Sequence, residues 1–252
     1  MEVEEHPNIR GRDWRLEAIT VLSKDWRSPF SGILHKAGTP VVRTTFLKFD
    51  GTQSAIPFPN ASALFLGLSW KMYEKAQSHL GKLGIGASSQ SEVRSEDEAQ
   101  LFSALESLMA SIVFAHAALE SYANEVIPED YVYEAPREDS RCTELYNKEQ
   151  IERFLSLGVK LDKILPEVLG TDSLKGSTLW QRYVTLKRLR DRVIHMKKTD
   201  REGTKHGQRP TFDDVWNELF VRRTENMALI AKDMIAYFAK ETPPRWLRKC
   251  PF

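Results

Sequence analysis

The sequence predicts a mainly α protein: a helical bundle of four to five helices, preceded by a small α/β extension that contains a hairpin. Three observations predict it. Apolar residues recur at helical spacing after residue 90, β-branched and aromatic residues concentrate between Val41 and Phe49, and a glycine/serine run separates the two regions. The expected division is an N-terminal extension over residues 1–90, a bundle over 91–241 and a C-terminal tail over 242–252.

In the extension, the run Val41–Phe49 is followed by Asp50–Gly51, a two-residue turn signal, so a hairpin is expected there. Ala61–Leu80 reads as a helix, with Leu64, Leu68, Met72 and Ala76 four apart. Gly81–Ser89 then ends it as a linker. The run lacks the G-K-[ST] ending and a preceding strand, so it is not read as a phosphate loop. Trp14, Trp26, Phe46, Phe49 and Phe58 predict a small packed subdomain in preference to a ligand-binding surface.

In the bundle, Ser95–Glu98 has capping-box spacing and opens a helix free of proline and glycine to Ile127. Leu105, Leu108, Met109, Ile112, Leu119, Ala123 and Val126 form its seam. Residues 128–146 read as a connecting loop. A third helix is expected from Lys148 to Leu169, with Ile151, Phe154, Leu155, Val159, Leu161 and Leu165 apolar and Pro166 shortening or kinking it. A fourth runs from Gly176–Ser177 to about Lys198. Thr211 caps the last, with Asp213 and Asp214 in its first turn and Phe212, Trp216, Leu219, Phe220, Met227, Ile230 and Met234 apolar.

Composition narrows the function. The 252 residues are 41% hydrophobic and 28% charged, which excludes wholesale disorder. Cys142 and Cys250 lie far apart, without metal-ligand or disulfide-framework spacing, so no metal site is expected and a reducing compartment fits. The acidic start carries no signal-peptide core, and the densest apolar run, Ala61–Trp70, is half of the ~20 residues that span a bilayer. A cytoplasmic protein without a membrane partner is expected.

The fourth helix carries the chemistry. Leu179, Tyr183, Leu186, Val193 and Ile194 all lie within roughly 60° of Arg190 on a helical wheel, so this guanidinium sits on the apolar face. It cannot shed its charge and needs acceptors. The long second helix offers Glu120, with His116 and Asn124 one turn to either side. His195 lies about 140° round from Arg190, with Asp191 four residues before it to orient the imidazole. From Gln181 to Arg209 ten Lys/Arg stand against three Asp/Glu, a local +7 inside a chain whose net charge is +1. Such an element attracts phosphates.

Arg190–Asp191–Arg192–Val193–Ile194–His195 has the form R-x4-H, with a polar residue directly after the arginine. In the upstream helix, Phe114–Glu125 includes the stretch Ala117–Ala118–Leu119–Glu120–Ser121–Tyr122–Ala123–Asn124–Glu125. Together, over roughly residues 95–240, these resemble the signature of the HEPN superfamily, whose members include toxin and antiphage ribonucleases. The resemblance implies a metal-independent endoribonuclease that uses no cofactor and forms a homodimer with two R-x4-H helices facing one cleft. His195 would then act as general acid/base, Arg190 would bind the scissile phosphate, and Asp191 would orient both. Glu120, Asn124 and His116 would support Arg190, while Arg188, Arg192, Lys197 and Lys198 would contact RNA. A cognate antitoxin or regulatory protein is an implied partner. On a straight helix Arg190 and His195 point apart, so either the helix is irregular there or a second chain completes the site. The alternative is a non-catalytic HEPN-like module that binds RNA, a nucleotide or a partner protein. A third reading pairs the chain with a nucleotidyltransferase.

Overall fold

A computed structural model describes residues 6–29, 31–83, 93–136, 143–196 and 215–252. The chain is mainly α, with four two-stranded antiparallel sheets among the described residues. It divides into two compact units: Met1–Leu64 with Thr242–Phe252, and Phe65–Glu241. The division therefore falls after Leu64 instead of near residue 90, and the C-terminal residues belong with the N-terminal strands instead of forming a separate tail.

The first unit holds six short strands. β1 (Ile19–Val21) pairs with β4 (Pro40–Val42), β2 (Trp26–Arg27) with β3 (Leu34–His35), and β5 (Thr44–Phe49) with β6 (Thr52–Pro57). The β5–β6 turn is the expected Asp50–Gly51, with both residues at positive φ, 46° and 79°. That is the backbone a two-residue hairpin turn demands, one that glycine adopts freely and aspartate tolerates. Val41 and Val42 belong to β4 and not to this hairpin. The buried centre is Ile9, Leu16, Trp246 and Leu247. Phe46 and Phe49 are 43% and 76% exposed, so the aromatics do not form the packed core expected of them. Arg245 donates to the carbonyl of Asp13 at 2.9 Å, and Trp14 meets Phe252 edge-on at 6.0 Å, which fastens the two pieces of this unit.

In the second unit, α2 (Glu98–Val126) follows one 3-10 turn and packs against α6 (Thr178–Ile194), α7 (Val215–Val221) and α8 (Met227–Phe238). Its buried face runs through Ala104, Leu108, Ser111, Ala115, Leu119 and Ala123, while Leu105, Met109 and Val126 flank it. Among the described residues, the segment Ser95–Val126 alone is long and apolar enough to cross a bilayer, and the bundle covers the buried face. α1 (Ala61–Leu80) approaches α2 through a reciprocal pair of hydroxyls: Ser69 Oγ donates to the Ser111 carbonyl at 2.8 Å, and Ser111 Oγ to the Ser69 carbonyl at 2.9 Å.

Three sequence expectations are corrected here. Residues 128–146 include a hairpin, β7 (Val132–Pro136) with β8 (Thr143–Asn147), where a loop was expected. The third helix is broken into α3 (Lys148–Phe154), α4 (Leu157–Val159), a π-helical turn Lys160–Ile164 and α5 (Leu165–Leu169). Ser156 causes the first break, because its side chain accepts from the Val159 N–H and starts a new helix, leaving Phe154 64% exposed. The last helix is interrupted between Val221 and Met227, where Asn226 caps α8. Its expected start at Thr211, with Phe212, Asp213 and Asp214, lies outside the described residues.

Candidate active site

α6 begins at Ser177, whose hydroxyl accepts from the Trp180 N–H, and buries Tyr183, Leu186, Leu189 and Val193 against the bundle. Arg190 lies at the edge of this face with its side chain 27% exposed. Its Nη2 donates to His116 Nε2 at 2.9 Å, and its Nη1 meets Asp191 Oδ1 at 2.8 Å. The guanidinium is thus held between a ring from α2 and a carboxylate from its own helix. Among the described residues Arg190 Nε is buried without a hydrogen-bond partner, as is the Tyr183 hydroxyl seven residues earlier on the same face.

His116 is 3% exposed. Burial, and then the charge of Arg190, lower its pKa to about 4, against an opposing pull from Asp191. The ring is neutral at physiological pH. Arg190 Nη2 lies 2.9 Å from Nε2 and 3.4 Å from Nδ1, so the geometry favours Nε2 as acceptor with the proton on Nδ1, the nitrogen 3.9 Å from Glu120 Oε2. Because the ring is neutral, that approach is not an ion pair.

The supporting residues are rearranged from the sequence expectation. Glu120 forms no ion pair with Arg190 among the described residues, since Asp191 takes that place from the adjacent position. Asn124 does not brace Arg190 either. Its Oδ1 accepts at 2.8 Å from Nζ of Lys160, a fully buried lysine that also donates to the Glu152 carbonyl at 3.1 Å. Burial lowers the Lys160 pKa, opposed by the charges of Glu120 and Glu152. Lys160 was not anticipated. Its signal was available, because it stands three residues after Leu157 and four before Ile164, on an apolar stripe as Arg190 does.

The helix ends at the second of the two motif residues. α6 stops at Ile194, and His195 caps it with φ −118° and ψ 54°, its N–H bonded to the Asp191 carbonyl. The expected continuation to Lys198 is therefore absent through Met196, and the irregularity is located at His195 itself. The His195 ring is exposed and has no hydrogen-bond partner among the described residues. Asp191 does not reach it, because its carboxylate is shared between Arg190 and Lys187, at 2.8 and 3.1 Å.

The basic segment is less open than its charge suggests. Arg188 and Arg192 both bind Glu218 of α7, Arg192 at 2.7 Å, and Arg182 binds Asp233 of α8 at 2.9 Å. Lys197 and Lys198 lie outside the described residues. Among the described residues, no cluster of three or more His, Cys, Asp or Glu has metal-holding geometry. The arrangement presents one clamped guanidinium at the edge of the bundle and one exposed imidazole at the end of the same helix. No protein-family model, curated protein or solved structure compared with this chain matches it.

Proposed function

We propose that this chain is a metal-independent endoribonuclease of the HEPN type, acting in the cytoplasm as a toxin or antiphage effector. The observation that carries the reading is the Arg190 guanidinium, fixed by His116 and Asp191 on a helix that terminates at an exposed His195. A guanidinium whose position is set by two partners is preorganised to hold a phosphate and to offset charge that develops on it. An exposed imidazole with no hydrogen-bond partner among the described residues is available for proton transfer. In the proposed reaction His195 removes the proton of a ribose 2′-OH, the 2′-oxygen attacks the adjacent phosphorus, and the 5′-oxygen leaves as a hydroxyl after protonation. The products are a 2′,3′-cyclic phosphate and a 5′-hydroxyl. A homodimer would bring a second R-x4-H helix to the same cleft, with a cognate antitoxin or regulatory protein restraining it.

Incubation of the chain with total RNA in EDTA tests this. Arg190→Ala and His195→Ala are each expected to lower cleavage at least a hundredfold, with the helical circular dichroism retained. Unchanged cleavage in both variants would exclude the assignment. A second reading, a non-catalytic HEPN-like binding module, is favoured by the engagement of Arg188 and Arg192 with Glu218, which withdraws two cations from a substrate. Under it the wild type yields no cyclic-phosphate ends and His195→Ala is silent.

A further inference from the structure

Among the described residues of the first unit, Arg12 lines two clefts. The larger, about 560 Å³, is bounded by Trp26, His35 and Arg43, and among the described residues no Asp or Glu lines it. Trp26 and His35 are directly opposed across β2 and β3, their rings stacked with centroids 5.7 Å apart. Trp26 nevertheless stays 42% exposed. The smaller cleft, about 410 Å³, is bounded by Arg10, Arg245 and Lys249 beside Arg12. Asp13, the one carboxylate lining it among the described residues, is bound by Arg15 at 2.9 and 2.6 Å. Over its whole sequence this unit carries eleven Lys/Arg against seven Asp/Glu.

From this we infer that the first unit binds single-stranded nucleic acid, with a base against the Trp26–His35 pair and the phosphates on Arg12, Arg43 and the basic cleft. An exposed aromatic face is a stacking platform for any base, and guanidiniums lining the same cleft supply the charge that a phosphate needs. An apolar ligand would make no use of the arginines, and an acidic peptide has no use for the stacked rings. A free nucleotide shares the chemistry of one residue of a strand. The link through Arg12 favours the strand, because it lets phosphates run from the base cleft into the basic one. The inference is independent of RNA cleavage, since neither cleft contains a residue of α6.

The test uses the full chain carrying His195→Ala, so that on the cleavage reading the probe survives, and measures fluorescence anisotropy of a labelled unstructured RNA decamer. Trp26→Ala and Arg12→Gln are each expected to weaken binding roughly tenfold or more, while Trp26→Phe retains most of it. The affinity should fall with added salt. Competition by UMP at concentrations comparable to the decamer identifies a free nucleotide as the ligand, and competition by unlabelled decamer alone identifies a strand. Parental affinity in Arg12→Gln and Trp26→Ala with unchanged melting overturns the inference, as does displacement by dextran sulfate as effective as by RNA. Should Trp26→Ala fail to fold, Arg43→Gln on an exposed side chain replaces it, with the same tenfold criterion.

Discussion

His116 couples the candidate site to pH. Its ring is neutral in the folded chain down to about pH 4, whereas an unfolded chain protonates it near 6.5. Below pH 6.5 the unfolded state therefore binds the extra proton, so stability falls as pH drops from 6.5 to 4 and levels off below that. The full shift corresponds to about 3 kcal/mol. His116→Gln, which keeps an acceptor for Arg190 but does not titrate, is expected to flatten urea-melt stability across this window; a pH slope equal to that of the wild type would count against the assignment. Much of this residue-level logic was legible in advance. Arg190 stood out as a charge on an apolar stripe, and α2 was recognised as the source of its partner. Which side chain of α2 supplied it was not legible, because residues four apart share one helix face and only the depth of packing chooses between His116 and Glu120. Asn124 was misread because its actual partner, Lys160, comes from a segment whose π-helical turn no propensity signals.

Elements were read well where their signals are local. The 29-residue α2 and the Asp50–Gly51 hairpin follow from periodicity and turn chemistry alone. Breaks were read poorly: Ser156 and Asn226 cap new helices inside apolar runs whose spacing continues across them, so the period gives no warning. The β7–β8 hairpin was missed because its pairing depends on two strands separated by a polar stretch. The close approach of α1 to α2 is an element-scale property with its own test. Ser69 and Ser111 are both essentially inaccessible and exchange hydroxyl-to-carbonyl bonds, so the helices meet with no room for a larger side chain. Ser111→Leu is expected to cost about 1–3 kcal/mol and lower the melting temperature. Ser111→Ala, which keeps the contact small, should cost less, and equal losses would mean that the hydroxyls rather than their size set the spacing.

On the scale of the molecule, charge is arranged by partnership more than by sum. The described part of the basic segment is compensated by Asp191, Glu218 and Asp233, acids that the sequence scatters and the fold gathers. The unit division has a mechanical counterpart. Trp246 is fully buried and Arg245 is bonded to Asp13, so removal of residues 242–252 takes a core side chain and a fastening from the first unit together. Limited proteolysis of the truncated chain should cut within residues 6–64 far faster than in the full chain, and an unchanged pattern would show that the strands fold without it. The same arrangement gives the chain a timetable on the ribosome. The strands emerge first but wait for their missing wall while residues 65–241 are made, on the order of ten to thirty-five seconds at ordinary translation rates. The unit that begins the chain is therefore the last to receive all of its residues, and a nascent chain stalled before Trp246 would carry the whole of α6 with the first unit still unfinished.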